Sequence, residues 1–187
     1  GTLEVLPGRH KVRIRGIQVH GQDAAKVGRG ERVALNLQGV DSKLVPPGAW
    51  LATPGAVACS DRLDVSFDLL ADTPRPLANN ARVRLLLGTA EVLAVVRLMD
   101  PAGGPAPECV LPGQRGLAQL ALVEEIGAVS GDRFVLRSES PVFTLGGGAI
   151  LDPEPPLLRR RERVDAARLH AVLADPDASG AQRVAAL

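Results

Sequence analysis

Residues 1–153 alternate apolar and polar side chains at period two, and prolines and glycines break that alternation every few residues. This pattern leaves room for little but short half-buried strands. In "ERVALNLQGV", Val33, Leu35 and Leu37 face one way and Ala34, Asn36 and Gln38 the other. "RLDVSFDLL" repeats the pattern through Leu63, Val65, Phe67 and Leu69. "KVRIRGIQV" changes parity at Gly16, the signature of a β-bulge or barrel corner. Turn signals fall at Pro7-Gly8, Gly28 to Gly30, Pro46-Pro47-Gly48, Pro112-Gly113 and Ser130-Gly131, the spacing of barrels and sandwiches. Apolar residues make up 45%, with no tyrosine, one tryptophan and three phenylalanines. The expected core is therefore aliphatic, and recognition by rows of stacked aromatic rings is not expected.

A joint between two strand clusters is expected in "LATPGAVACSD", residues 51–61, and a long mobile loop over residues 100–113. After Asp152-Pro153 the period changes. Val164, Ala167, Ala171, Leu169, Val172 and Leu173 suggest a helix that Pro176 ends. Ser179 followed by Gln182 resembles a capping box opening a second helix, so the chain end reads as a cut within a larger protein. The expected units are residues 1–57, 58–153 and 154–187.

Enzyme signatures are sparse. "GRGERV" at 28–33 has Val33 where a dinucleotide fingerprint needs its third glycine, and no G-x-x-x-x-G-K-[ST] occurs. His10, His20 and His170 lack metal-ligand spacing, as do Cys59 and Cys109, which read as reduced thiols. Glu124-Glu125 reads as a solvated edge. Neither a metal nor a catalytic step is expected of this chain. No apolar run reaches the ~20 residues that span a bilayer, and no signal peptide opens the sequence, so a cytoplasmic protein without membrane contact is expected. Net charge is only +1, so any basic surface must be local. In "GRHKVRIRG", strand parity puts Arg9, Lys11, Arg13 and Arg15 on one face at roughly 7 Å intervals. Such a row suits a nucleic-acid backbone, or simply a wet barrel face whose cations deter edge pairing. "RRRER" at 159–163 carries the same two readings. "GDRFVLRSESPVFTLGGGAILDP", residues 131–153, ends in three consecutive glycines. They mark either a surface that a phosphate backbone or a neighbouring domain can approach or a tight barrel corner.

Together these stretches resemble the elongation factor Tu-like translational GTPases. "KVRIRGIQVHGQDAAKVGRGERVALNLQGVDSKLVPPGAWLATPGAV" is similar to their second domain. "LPGQRGLAQLALVEEIGAVSGDRFVLRSESPVFTLGGGAILDP" is similar to their third, which ends in "R-F-x-[IL]-R" and "T-[VIL]-G-x-G" strands. Within the superfamily, "VRIRGIQVHG", "GERVALNLQGV" and "RSESPVFTLGGGAILDP" most resemble selenocysteine-specific elongation factors. The resemblance covers about residues 3–153 and implies two tandem β-barrels, the first truncated at its N-terminus, followed by a short helical segment.

The resemblance also implies a function. The family delivers selenocysteinyl-tRNA to the ribosome, where an mRNA hairpin recodes a stop codon. GTP and Mg belong to an N-terminal domain absent from this sequence, so no cofactor is expected here. Gln18 and Arg32 match positions lining the aminoacyl-end pocket, with His20 beside them. Arg137, Thr144, Gly146, Gly147 and Gly148 match positions that hold the T-stem, and Arg13 and Arg15 are candidates for further tRNA contact. Where the family usually has a basic residue, this chain has Pro47 before Gly48, and Phe143. The alternatives are the barrels of another translational GTPase, or a spacer or protein-interaction module that does not touch RNA.

Overall fold

The computed structural model describes residues 2–102 and 104–156. The helices expected after Asp152-Pro153, with Ser179, Gln182 and the 159–163 arginines, lie outside the described residues. Within them the regular structure is β, apart from a 3-10 turn at Ser42–Leu44.

The N-terminal unit is an antiparallel five-stranded sheet: β1 (Leu3–Leu6), β2 (His10–Val19), β3 (Gln22–Asp23), β4 (Val33–Gln38) and β5 (Trp50–Ala52). β1 lies between β5 and β2, while β2 also pairs with β3 and β4. The β2–β3 hairpin turns on His20 and Gly21, both at positive φ (52° and 79°), as a two-residue turn matched to strand twist requires. β4 alternates as its sequence predicts, with Val33, Leu35 and Leu37 half-buried and their neighbours exposed.

The parity change at Gly16 is a bulge. The β2–β4 register shifts between Ile14 and Gly16, leaving Arg15 as the extra residue. This corrects the expected row of four cations. Arg9 lies before β2 at φ 55° and Arg15 is bulged, so only Lys11 and Arg13 keep regular strand alternation. A turn and a bulge both break the period on which a continuous row depends.

The second unit is a closed six-stranded antiparallel barrel. Its strands are β6 (Ala58–Leu69), β8 (Arg82–Leu87), β9 (Ala90–Met99), β11 (Arg115–Ala128), β12 (Arg133–Ser138) and β13 (Thr144–Asp152), in the cyclic order β11-β6-β13-β12-β8-β9. A two-stranded ribbon, β7 (Leu77–Ala78) with β10 (Cys109–Val110), accompanies it. The inward residues of each strand form an aliphatic core. Leu63, Val65 and Phe67 come from β6, Leu85 from β8, Val96 from β9, Leu120 from β11 and Leu136 from β12. At β11 the register shifts between Ala121 and Ile126, so exposed Val123, Glu124 and Glu125 leave the ladder. The acidic pair is a solvated projection.

The glycine run has a cause inside the barrel. A Cβ at Gly146 or Gly148 would collide with the carbonyl oxygens of Asp68 or Ser66 on β6, and one at Gly147 with that of Phe134 on β12. None of the three has a positive φ, so close approach of neighbouring backbone, rather than turn geometry, excludes side chains. We expect Gly148→Ala to lower barrel stability by about 1–3 kcal/mol, the usual range for overpacking. Gly28→Ala, where a Cβ would find only Glu31 at 3.8 Å, should fall within about 0.5 kcal/mol of the parent. Urea unfolding of both variants checks this, and equal midpoints would contradict it.

Candidate nucleic-acid interface

Alternation along β12 turns Phe134, Leu136 and Ser138 inward and leaves Arg133, Val135 and Arg137 on the outer face. Antiparallel register then sets Arg137 beside Thr144 of β13 on one side and Arg84 of β8 on the other. Side chains directly opposite one another on adjacent strands have Cβ atoms only about 5 Å apart, so two guanidiniums share one patch of wall. Arg84 is held by Glu91, with Nη1 donating to Oε1 at 2.7 Å. The Nε atoms of both Arg84 and Arg137 are buried and have no hydrogen-bond partner. A buried donor left unmade costs about 1–3 kcal/mol. An oxyanion at this wall would be met by the outward-facing N–H groups of the two guanidiniums and would offset the repulsion of like charges.

The structure thus brings Arg137 and Thr144 together as expected and adds Arg84, which motif reading missed. The missed signal was the period-two arginine pattern of "ARVRLLLG", which puts Arg82 and Arg84 outward. Arg82 is bridged to Glu139 at 3.2 Å. At Phe143, where the resemblance calls for a basic residue, the ring carries the Arg75 guanidinium 5.9 Å from its centroid, so a cation enters from the β6–β7 loop. The Phe143 N–H donates to Ser138 Oγ at 2.9 Å and pins the hairpin end. Gly146, Gly147 and Gly148 adjoin this patch, but barrel backbone already fills the space a side chain would take.

Gln18, His20 and Arg32 are all exposed and cluster by register at the tip of β2. Gln18 pairs with Ala34 and Val19 with Val33, which puts His20 in the turn and Arg32 just before β4. The Gln18 amide is already engaged, with Nε2 donating to Asp23 Oδ1 at 2.9 Å. Asp23 therefore adds a carboxylate to a tip expected to be cationic. Arg13 and Arg15 gather around one residue instead. Arg15 Nε donates to Gln38 Oε1 at 2.8 Å, and Gln38 is the strand partner of Arg13. Arg13, Lys11 and Gln38 line a depression of about 350 Å³.

The "PPGAW" stretch packs the two units together. Gly48 N–H donates to Thr89 Oγ1 at 2.9 Å, and a Cβ on Gly48 would lie 2.7 Å from that of Ala90. The Trp50 ring covers Gly127, where a Cβ would stand 2.7 Å from Cδ1. Among the described residues no group of three or more His, Cys, Asp or Glu side chains could hold a metal. No helix among them is long and apolar enough to cross a membrane.

Comparison with known proteins agrees with this architecture. Residues 60–157 match the family described as "Selenocysteine-specific elongation factor, beta-barrel domain". The selenocysteine-specific elongation factor of Desulfomicrobium baculatum is 32% identical over 161 residues, covering 86% of this chain and 24% of the relative. That of Haemophilus influenzae is 25% identical over 170 residues, covering 88% of this chain and 26% of the relative. The crystal structure of translation elongation factor SelB from Methanococcus maripaludis, apo form, superposes with TM-score 0.69 at 25% identity, over 83% of this chain and 36% of that one. The chain spans about a quarter of the length of the curated relatives it matches.

Both cysteines are free, Cys59 buried and Cys109 half-buried. Burial pushes the Cys59 thiol above its usual range; Arg9 pulls it down, and Glu125, Glu4 and Glu154 push it further up. The unfolded chain releases this proton first, so between the unfolded and folded values stability falls as pH rises. At mildly alkaline pH, iodoacetamide should modify Cys109 well before Cys59, with mass spectrometry reading the order. Equal rates would show that the Cys59 site opens freely.

Proposed function

This chain belongs to the family of selenocysteine-specific elongation factors, and from that premise we propose that it binds the acceptor and T arms of selenocysteinyl-tRNA for GTP-dependent delivery to the ribosome. The observation that carries the reading is the Arg84–Arg137 pair, two arginines that strand register sets side by side on the outer wall of the barrel. A phosphodiester supplies the anion that two neighbouring guanidiniums favour, and exposed Thr144 adds a hydroxyl next to it. Arg75 extends the positive surface beside them, while Arg82 is bridged to Glu139. Gly146 to Gly148 serve by holding β13 close to its neighbours, so that Thr144 stays in register with Arg137.

The β2 tip receives the aminoacyl end. A selenol is far more acidic than a serine hydroxyl and arrives as an anion, so Arg32 favours it over the uncharged seryl precursor. His20 lies on the same tip, and Asp23 orients the Gln18 amide. Arg13 and Arg15, gathered around Gln38, offer a further backbone contact. The chemical step belongs elsewhere: GTP and Mg are held by another part of the parent protein, which also meets the ribosome and the mRNA hairpin. The role of this chain is to grip RNA.

Binding to selenocysteinyl-tRNA and to a bulk elongator aminoacyl-tRNA, compared across a salt series, tests the proposal. Arg137→Glu should weaken binding by about tenfold to a hundredfold, the range for hydrogen bonds to charged groups. It should also reduce the slope of log K against log salt by about one. Unchanged affinity and slope for Arg137→Glu and Arg13→Glu would favour a spacer that does not touch RNA. Equal affinity for the two tRNAs would reject selenocysteine specificity.

A further inference from the structure

The barrel wall carries a second cationic feature beyond the Arg84–Arg137 patch. Across β6 and β13 the outer positions hold no large side chain, since Ser66 lies opposite Ala149 and Asp68 opposite Gly147. The neighbouring strands supply the walls. Arg133 of β12 stands beside Ala149, and Arg115 of β11 beside Asp68. The result is a trough of about 440 Å³ with a floor of backbone and small residues. The close approach that excludes side chains at Gly147 and Gly148 also keeps this floor low.

Charge and hydrogen bonding are unevenly matched there. Arg115 is tied to Asp68, with Nε donating to Oδ1 at 2.9 Å and Nη2 to Oδ2 at 3.4 Å. Arg133 is exposed and has no hydrogen bond or ion pair among the described residues, and the Ser66 hydroxyl has none either. The lining thus holds two guanidiniums against one carboxylate, with one cation and one hydroxyl uncommitted.

We propose that this trough is a second RNA-backbone site, in which Arg133 and the Ser66 hydroxyl take a phosphodiester oxygen apart from the Arg84–Arg137 contact. It rests on the reading of the chain as an RNA-binding piece and adds a contact to it. Two features favour RNA over an acidic protein segment. The barrel is closed, so no strand edge is free for a peptide to extend. The trough is lined by no aromatic side chain, the kind of anchor in which protein interfaces are enriched, and its apolar lining is confined to Ala149, Ile150 and Leu151. Arg133 and Arg137 also stand four residues apart on the outer face of one strand, about 13 Å. A stiff polyanion can touch both, whereas a single carboxylate side chain meets only one.

The test uses the 187-residue chain and fluorescence anisotropy with a transfer RNA transcript, over a salt series. The variants are Arg133→Glu, Ala149→Phe, Ser66→Val and, for comparison, Arg137→Glu. Ala149→Phe fills the trough without changing charge, and Ser66→Val removes only the hydroxyl; thermal melting reports the fold of each. Arg133→Glu and Ala149→Phe should each weaken binding about tenfold, and Arg133→Glu should lower the salt slope by about one. Should Ala149→Phe not fold, Ser66→Val takes its place, with a loss of about threefold expected. Wild-type binding by the three trough variants alongside weakened Arg137→Glu would overturn the trough and leave the proposed function intact. Wild-type binding by all four would remove both. Displacement of the RNA by polyglutamate at matched charge, or saturation by inorganic phosphate that leaves RNA affinity unchanged, would overturn the RNA assignment.

Discussion

The barrel depends on how closely β13 can approach β6 and β12. At Gly146, Gly147 and Gly148 the neighbouring carbonyl oxygens occupy the volume in which any Cβ would stand. With that approach the ladder closes from β11 through β13 and β12 to β9, and the inward residues are sealed from water. A closed ladder leaves no strand edge to pair with other chains, and its wall holds side chains at fixed separations. The surface chemistry follows from that rigidity. The backbones of Arg84 and Arg137 stay side by side, because each belongs to a strand locked in register with the other.

Like-charge neighbours with unmet buried donors destabilise the isolated wall, and a fold retains such an arrangement most readily where something else completes it. The Glu91 carboxylate meets Arg84 through Nη1 and leaves both Nε atoms without an acceptor. A negatively charged partner fits the outward-facing N–H groups of this pair and relieves the like-charge repulsion. The modest overall charge of +1 then matters less than where cations stand. Glu139, Asp68 and Asp23 each neutralise or orient one neighbour, while Arg137 and Arg133 keep no protein counterion among the described residues.

The N-terminal sheet is bound to this wall by small contacts. Gly48 meets the β8–β9 hairpin at Thr89 and Ala90, and Trp50 lies over Gly127. The Pro47-Gly48-Ala49-Trp50 stretch, which departs from the basic pattern of the resembling family, thus has a packing role on the barrel. Only three large side chains of the N-terminal sheet, Val5, Leu6 and Val12, are buried, whereas the barrel core draws on all six of its strands. The sheet is therefore the more loosely packed of the two units.

What the sequence by itself determined was local. Alternation in "RLDVSFDLL" and "ERVALNLQGV" marked inward faces, Gly16 marked a bulge, and motifs spread over about residues 3–153 carried the family resemblance. Period two and glycine tolerance act over a few residues, so they can be read without knowing the partners. The tertiary structure alone decided which residues meet. Arg84 and Arg137 are neighbours only because β8 and β12 pair, and Asp23 takes the Gln18 amide only because of the turn at His20-Gly21. The same holds for the glycine run, whose close packing is set by the positions of Ser66, Asp68 and Phe134 on the neighbouring strands. Strand register is a long-range property of the closed ladder, and one residue of slip would have turned every one of these side chains to the opposite face.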